Sequence, residues 1–213
     1  MPVLANHRLA RILPVLVAVG CAESSKFTPG DSMRPTFDGE MRIDVNKLDD
    51  VPQRGRVIVF RAPEAPDREY VKRVIGIPGD TISMNGTEVL VNGTAIPRCA
   101  VGPWQYAERD GTLRAGELWL EALAGRKWLV FHDARMTSEL PGPWTVAPGE
   151  VFVLGDNREH SHDSRFWFGG KGGGVPIKLV VGGAAASEPT LPPGAEPLEA
   201  ALRGCAASVS RPI

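Results

Sequence analysis

The chain has 213 residues, with 24 Lys and Arg against 25 Asp and Glu, for a formal net charge of -1. Near-neutral charge without a long basic run argues against a nucleic-acid binder that works by neutralising phosphates. Hydrophobic residues make up 43% and charged residues 23%, which excludes wholesale disorder. The sequence contains no stretch of 18 apolar residues, so a conventional membrane-spanning helix is not expected. The 24 glycines and 19 prolines imply many turns and favour an all-β fold.

The first 21 residues are typical of an export signal. Arg8 and Arg11 precede the apolar segment 12–20, and Cys21 follows it. This basic flank, short apolar run and small-residue end suit a secretory signal but are short for crossing a bilayer. The ending Ala-Val-Gly-Cys also resembles a lipoprotein cleavage site, where Cys21 would carry the lipid. An uncleaved anchor and a buried first strand are the alternatives.

Short β-branched runs and tight turns dominate the middle of the chain. Strands are predicted at 56–60, 81–84, 88–91, 127–131, 151–154 and 177–181. The pairs Asn85-Gly86 and Asn92-Gly93 suit the positive φ angles of hairpin turns. The Gly- and Pro-rich stretch from about residue 96 to 146 is expected to be an inserted, less regular subdomain.

The carboxy-terminal part carries the one predicted helix, at 198–203. From residue 183 onward the chain is rich in Ala and Pro, and we expect this tail to pack loosely, if at all. If a lipid occupies Cys21, then Cys99 and Cys205 could form a disulfide in an oxidising compartment. Two free buried thiols are the alternative.

The first of three candidate catalytic segments surrounds Ser32 and has the sequence Gly30-Asp31-Ser32-Met33-Arg34-Pro35-Thr36. Taken alone, this serine could belong to an ordinary turn.

The second stretch, 70–80, places Lys72 in an apolar, β-prone segment. Burial lowers the pKa of a lysine, and a neutral lysine can accept the proton of a weak serine nucleophile. The alternative is a Lys72 on the solvent face of the strand with Arg73 inward, or both side chains reaching towards solvent.

The third stretch, 151–165, runs from an apolar strand into a polar loop. In this loop Ser161 could hydrogen-bond the lysine amine, and Asp163 could pair with Arg165. Two further alternatives are a Ser/His/Asp hydrolase and a metal site, because the loop also contains His160, His162 and Asp163. Neither is favoured, because His162 adjoins Asp163 too closely and no further metal ligand is evident.

Together the three stretches resemble type I signal peptidases, the Ser/Lys endopeptidases that remove signal peptides from exported proteins. The nucleophile motif matches residues 32–36, the lysine motif 72–80, and the final motif 155–165, within a likeness that spans roughly 29–184. The resemblance implies an all-β core with a β-rich insert and a short signal or anchor segment. The boundaries would be 1–21 for the anchor, 22–182 for the peptidase domain and 183–213 for the tail.

The resemblance also implies residue roles. Ser32 would attack the scissile carbonyl, Lys72 would be the general base, and the Ser32 backbone N–H would bind the oxyanion. Met33, Tyr70 and Val71 would line shallow pockets for small residues of an Ala-x-Ala type substrate. The supporting residues would be Ser161, Asp163, Arg165, Arg73 and Asp156.

By the same resemblance the partners are signal peptides of exported preproteins and the membrane surface. The charge balance and the missing further metal ligand predict no nucleic acid and no metal, and no other cofactor is expected. The protein would be a monomer whose catalytic domain lies on the extracytoplasmic side of the bacterial cell membrane. Two departures stand out: Gly30 replaces a serine that many bacterial members carry, and Asp31 replaces a commoner small residue. They keep open the alternative of an inactive or self-processing binding module; Gly-Asp-Ser-Met also resembles self-cleaving repressors of the LexA type.

Overall fold

A computed structural model describes residues 25–48, 50–136, 141–186 and 188–209. The predicted signal segment, with Cys21, lies outside these ranges. Within them, no helix is long and apolar enough to cross a membrane.

Fourteen strands and two helices make up the described regular structure, apart from short 3-10 turns. The strands are β1 (Ser25–Phe27), β2 (Ile43–Asn46), β3 (Val57–Ala62), β4 (Ala65–Gly76), β5 (Thr81–Asn85), β6 (Glu88–Val91), β7 (Thr94–Ala95), β8 (Arg98–Ala107), β9 (Leu113–Leu123), β10 (Arg126–Asp133), β11 (Trp144–Thr145), β12 (Glu150–Leu154), β13 (Val175–Pro176) and β14 (Val180–Ala184). The helices are α1 (Trp167–Gly170), a single turn, and α2 (Glu199–Ser208). The predicted all-β class is therefore confirmed.

The strands form three sheets. A seven-stranded sheet has the order β1-β2-β14-β3-β4-β12-β13, a four-stranded sheet the order β11-β5-β6-β7, and a three-stranded sheet the order β10-β9-β8. The predicted turn at Asn92-Gly93 is confirmed, with φ angles of 53° and 78°. The segment 177–181 differs from its prediction: Ile177–Leu179 is a 3-10 turn, and the strand begins at Val180.

The seven-stranded sheet is buried on both faces around β3 and β4. Val57 and Val59 pack into one core cluster, whereas Ile58 and Phe60 pack into another. Successive residues of a strand project to opposite faces, so an unbroken apolar run fits a strand with cores on both sides. The sheet register pairs Ile58 with Lys72. The catalytic candidate thus lies on a central, buried strand.

The insert is β-rich, as predicted, but it is more regular than expected. Strands β8, β9 and β10 have 10, 11 and 8 residues and form an antiparallel sheet. The sequence of β8 looked irregular because Gly102 and Pro103 lie within it. The register shifts between Ala100 and Gly102, and such a bulge accommodates residues that fit a regular ladder poorly.

The described part of the tail from residue 191 to 209 packs against the insert, contrary to the expectation of loose packing. Helix α2 lies against the insert sheet, where Leu198 and Leu202 join its apolar cluster and Cys205 is 3% exposed. Cys99 and Cys205 form a disulfide with a Cα–Cα distance of 5.4 Å, which confirms the bonded alternative. A covalent link and apolar contacts hold a segment whose composition alone suggested little packing.

Candidate active site

Ser32 lies in a 3-10 turn, Asp31–Met33, between β1 and β2. Met33 is fully buried in the apolar cluster beneath the sheet and anchors this turn. Gly30, directly before it, has a φ of 67°, in the left-handed region that favours glycine. The backbone conformation thus gives a physical reason for glycine at this position.

Lys72 reaches Ser32 from the central strand β4. Its Nζ lies 2.6 Å from Ser32 Oγ and donates a second hydrogen bond to the Val71 carbonyl at 2.9 Å. The side chain is 3% exposed, so the solvent-facing alternative is wrong. Burial lowers the pKa of Lys72 from 10.5 to about 8, although the charges of Asp163 and Asp156 oppose this shift. A substantial neutral fraction is therefore available at mildly alkaline pH.

Ser161 is brought beside the dyad, but the predicted bond to Lys72 is not formed. Its buried hydroxyl interacts with the Asp163 carboxylate and helps to lower the pKa of that group, while the lysine amine is engaged by Ser32 and Val71. Gly155 explains how close the segments come. A Cβ at Gly155 would lie 2.2 Å from Ser161 Oγ and 2.5 Å from the Ser32 carbonyl oxygen. Glycine permits this approach.

The predicted pair of Asp163 and Arg165 is present and fully buried. Arg165 donates from Nε and Nη2 to the two carboxylate oxygens at 2.8 and 2.9 Å, and Gly155 N–H donates to Asp163 at 3.0 Å. Burial alone would raise the pKa of Asp163, but the Arg165 charge and these hydrogen bonds lower it below its usual value. The pair fixes the loop that follows β12 and leaves a carboxylate charge near Lys72.

Arg73 and Asp156 form a second buried ion pair. Arg73 donates to the two Asp156 oxygens at 2.9 and 2.6 Å and to the Gly55 carbonyl at 2.8 Å. Thr36 donates its hydroxyl proton to Asp156 at 2.5 Å. Because Thr36 closes the nucleophile motif, this network ties the Ser32 segment to the loop after β12.

The predicted substrate-binding residues are placed differently from one another. Met33 and Val71 are buried in the apolar core at 0% and 1% exposure, so their side chains do not reach the surface. Tyr70 is half-buried, and its ring centroid lies 5.5 Å from Lys72 Nζ. Of the three, Tyr70 is the side chain that can contact a substrate directly.

Two residues outside the predicted site also contact the nucleophile turn or its support. Asn157 donates its backbone N–H to the Ser32 carbonyl at 3.1 Å and its side-chain amide to the Asp31 carbonyl at 3.0 Å. The same amide donates to the Tyr106 hydroxyl at 2.7 Å. Asn157 could have been suspected from its place in the Gly-Asp-Asn motif. Tyr106 carried no signal, because its position depends on how the insert folds back.

The histidines do not form a relay with Ser32. His160 Nε2 lies 3.0 Å from Asp133, and His162 Nε2 lies 3.4 Å from Glu64. Asp163 instead bonds Arg165. This arrangement removes the Ser/His/Asp alternative.

Comparison with known proteins shows similarity to signal peptidases in both the family profile and individual sequences. The sequence profile of the family described as "Signal peptidase, peptidase S26" matches residues 7–187. A signal peptidase I of Pseudomonas aeruginosa is 37% identical over 180 residues, covering 74% of this chain and 62% of that protein. One from Bacillus caldolyticus is 37% identical over 162 residues, covering 75% of each chain.

A crystal structure of a signal peptidase I from Enterococcus faecalis V583 is 27% identical, with a TM-score of 0.37, covering 63% of this chain and 97% of that one. The matches to signal peptidases I of P. aeruginosa and Pseudomonas fluorescens span 62% and 53% of those relatives. The chain thus spans less than two thirds of their length.

Proposed function

The chain belongs to the peptidase S26 family of signal peptidases, and on that premise we propose that it is a membrane-associated serine endopeptidase that removes signal peptides from exported proteins. The observation that carries this proposal is the 2.6 Å contact between Ser32 Oγ and the buried Lys72 Nζ. A hydroxyl and a desolvated amine in direct contact are the minimum needed to activate a serine without histidine.

The acylation step uses the neutral form of Lys72. As Ser32 Oγ attacks the scissile carbonyl carbon, its proton passes to Lys72 Nζ and the carbonyl electrons move to the oxygen. The Ser32 backbone N–H stabilises this oxyanion. When the C–N bond breaks, the Lys72 ammonium gives its proton to the leaving amine, and an acyl-enzyme remains.

Deacylation repeats the sequence with water. Lys72 takes a proton from the attacking water, a second tetrahedral intermediate forms, and the bond to Ser32 Oγ breaks. The serine oxygen then recovers its proton from the lysine. Two buried ion pairs, Arg73 with Asp156 and Asp163 with Arg165, hold the segments that flank this reaction in place.

The substrate is proposed to be an extended signal peptide with small residues before the cleaved bond, of the Ala-x-Ala type. Met33 and Val71 fill the core behind the dyad, and Tyr70 stands beside the amine. Membership of the signal peptidase family supports the small residues, and Tyr70 is the side chain placed to contact them. Many signal peptidases carry a serine where this chain has Gly30, and the hydroxyl of that serine helps to bind the oxyanion. This chain lacks the hydroxyl, so its oxyanion depends on backbone donors.

Asp31 does not argue for an inactive protein. Its carboxylate accepts a hydrogen bond from Arg34 Nε at 2.7 Å, so the charge next to the nucleophile is paired within the same turn. We therefore expect an active enzyme rather than a binding module without catalysis. The serine hydroxyl missing at position 30 should change its activity but not abolish it.

The location is proposed to be the extracytoplasmic face of the bacterial membrane. The disulfide between Cys99 and Cys205 supports an oxidising compartment. Lipidation of Cys21 stays a prediction that intact-mass measurement of the membrane-extracted protein can test: an unmodified chain that begins at Met1 would favour an uncleaved anchor.

The decisive experiment is cleavage of a preprotein with an Ala-x-Ala site by the wild type, Ser32→Ala and Lys72→Ala. The exposed Lys178→Ala is the matched lysine control. We expect cleavage after the second Ala by the wild type and the control only. Equal rates for the wild type and Lys72→Ala would remove the dyad, and no cleavage by the wild type would overturn the proposed activity.

A further inference from the structure

Asn157 holds two consecutive peptide groups of the nucleophile turn. Its backbone N–H donates to the Ser32 carbonyl at 3.1 Å, and its side-chain amide donates to the Asp31 carbonyl at 3.0 Å. Asn157 itself has no exposed surface. One buried residue thus fixes the direction of both carbonyls on either side of the Ser32 α-carbon.

The bond to the Asp31 carbonyl has a consequence for the Ser32 N–H. These two groups belong to the same peptide unit, which is planar, and in a trans peptide they point in opposite directions. Holding the Asp31 carbonyl towards Asn157 therefore aims the Ser32 N–H away from it. In the proposed reaction, this N–H is the oxyanion donor, and its direction decides how well it meets the developing charge.

Tyr106 in turn fixes the Asn157 amide. A carbonyl only accepts hydrogen bonds, so the NH₂ group must face Asp31, and its second proton is donated to the Tyr106 hydroxyl at 2.7 Å. The Tyr106 ring is stacked on Trp104, lies edge-on to Phe131, and is covered by the Arg34 guanidinium at 4.8 Å. The hydroxyl therefore has little freedom to move.

We propose that Tyr106 and Asn157 are positioning residues that orient the Ser32 N–H for transition-state binding. This inference rests on the proposed peptidase function. Through the hydrogen bond between Tyr106 and Asn157, strand β8 of the insert affects catalysis without contacting the substrate. The insert is then part of the catalytic machinery, in addition to covering the core.

The test is Tyr106→Phe, which keeps the ring and removes the hydroxyl. Without this hydrogen bond the Ser32 N–H is less well aimed at the oxyanion, which forms only in the transition state, so kcat should fall by about tenfold and KM should stay unchanged. The affinity for a peptide aldehyde, which forms a tetrahedral adduct with Ser32, should fall by the same factor. Affinity for the non-covalent cleavage product should not change. Asn157→Ala should show the same pattern with a larger loss.

Thr87→Val is the matched control, because it removes a hydroxyl that accepts a hydrogen bond from Arg98 at an exposed place in the fold. The proposal is overturned if Tyr106→Phe matches this control in kcat and in aldehyde affinity, or if product affinity falls equally. The NMR resonance of the Ser32 amide distinguishes failure of the positioning role from failure of the proposed peptidase function. If the wild type cleaves no signal peptide, that resonance must still move in Tyr106→Phe but not in Thr87→Val, and an unmoved resonance rejects the positioning role.

Discussion

Lys72 Nζ and Ser32 Oγ lie 2.6 Å apart although 40 residues separate them in the chain. The contact joins a 3-10 turn anchored by Met33 to a strand that is buried on both faces. Neither side chain can move far without disturbing the core. We therefore expect the two side chains to act as one catalytic unit, and double-variant kinetics can measure this.

Substitution of either dyad residue is expected to cost nearly all activity, and substitution of both should cost no more. Ser32→Ala and Lys72→Met should each lower kcat by at least about a thousandfold, since residues of one catalytic unit are strongly non-additive. Single-turnover cleavage of a preprotein measures this. Lys178→Met, at an exposed site, should retain the wild-type rate. Losses that multiply in the double variant would contradict the dyad.

The pH profile should follow the neutral form of Lys72. Burial lowers the pKa of this amine to about 8, and the base must be unprotonated to accept the serine proton. We expect kcat/KM to rise about tenfold per pH unit below that value and to level off above it. A profile that is flat from neutral pH downwards would exclude Lys72 as the base.

The same burial should make Lys72 a source of pH-dependent instability. Its pKa is lowered from 10.5 in the native state, so between pH 8 and 10.5 the unfolded chain holds a proton that the native state has released. Stability of the wild type relative to Lys72→Met should therefore rise with pH across this window, by roughly 3 kcal/mol. Urea unfolding at pH 7.5 and pH 10 measures this difference. The Lys178→Met control should show no such trend, and a constant gap for Lys72→Met would refute the lowered pKa.

Much of the fold, and the pairing of Ser32 with Lys72, could be predicted from local sequence. The β-branched run at 56–60 predicted a strand, and the motifs singled out Ser32 and Lys72, whose side chains the fold brings into contact. Tyr106 could not be found this way. Its contact with Asn157 exists only once the insert packs against the loop after β12, and no residue spacing encodes that.

The tail was mispredicted for a related reason. Its Ala- and Pro-rich composition indicates little intrinsic order, yet Leu198 and Leu202 meet an apolar face of the insert sheet. Tertiary contacts and a crosslink outweigh local propensity here.

Removal of the disulfide should destabilise the protein. The Cys99–Cys205 bond spans a sequence separation of 106, and a loop of that size restricts the unfolded chain by about 4 to 5 kcal/mol in the chain-entropy description. The double variant Cys99→Ala with Cys205→Ala should unfold at lower urea concentration, and proteases should cut its tail sooner. Cys21→Ala, which leaves the bond intact, should behave as the wild type. Equal stability of all three proteins would show that apolar contacts alone hold helix α2.

The tightest steric constraint at the site lies at Gly155, and Gly155→Ala is expected to impair catalysis sharply. The added Cβ would lie 2.2 Å from Ser161 Oγ and 2.5 Å from the Ser32 carbonyl oxygen, so the nucleophile turn or the loop must shift. A displacement of about 1 Å at a reacting group can cost on the order of a hundredfold in rate. Preprotein cleavage and thermal unfolding should be measured together.

Gly204→Ala is the matched control, because it makes the same change in helix α2 where a Cβ meets nothing within 4 Å. It should keep full activity and gain up to about 1 kcal/mol in stability from the better helix propensity of Ala. If Gly155→Ala keeps the wild-type rate, the loop after β12 does not pack against Ser32 as closely as the structure shows. In that event, the contact from Asn157 to the nucleophile turn would lose its geometric basis as well.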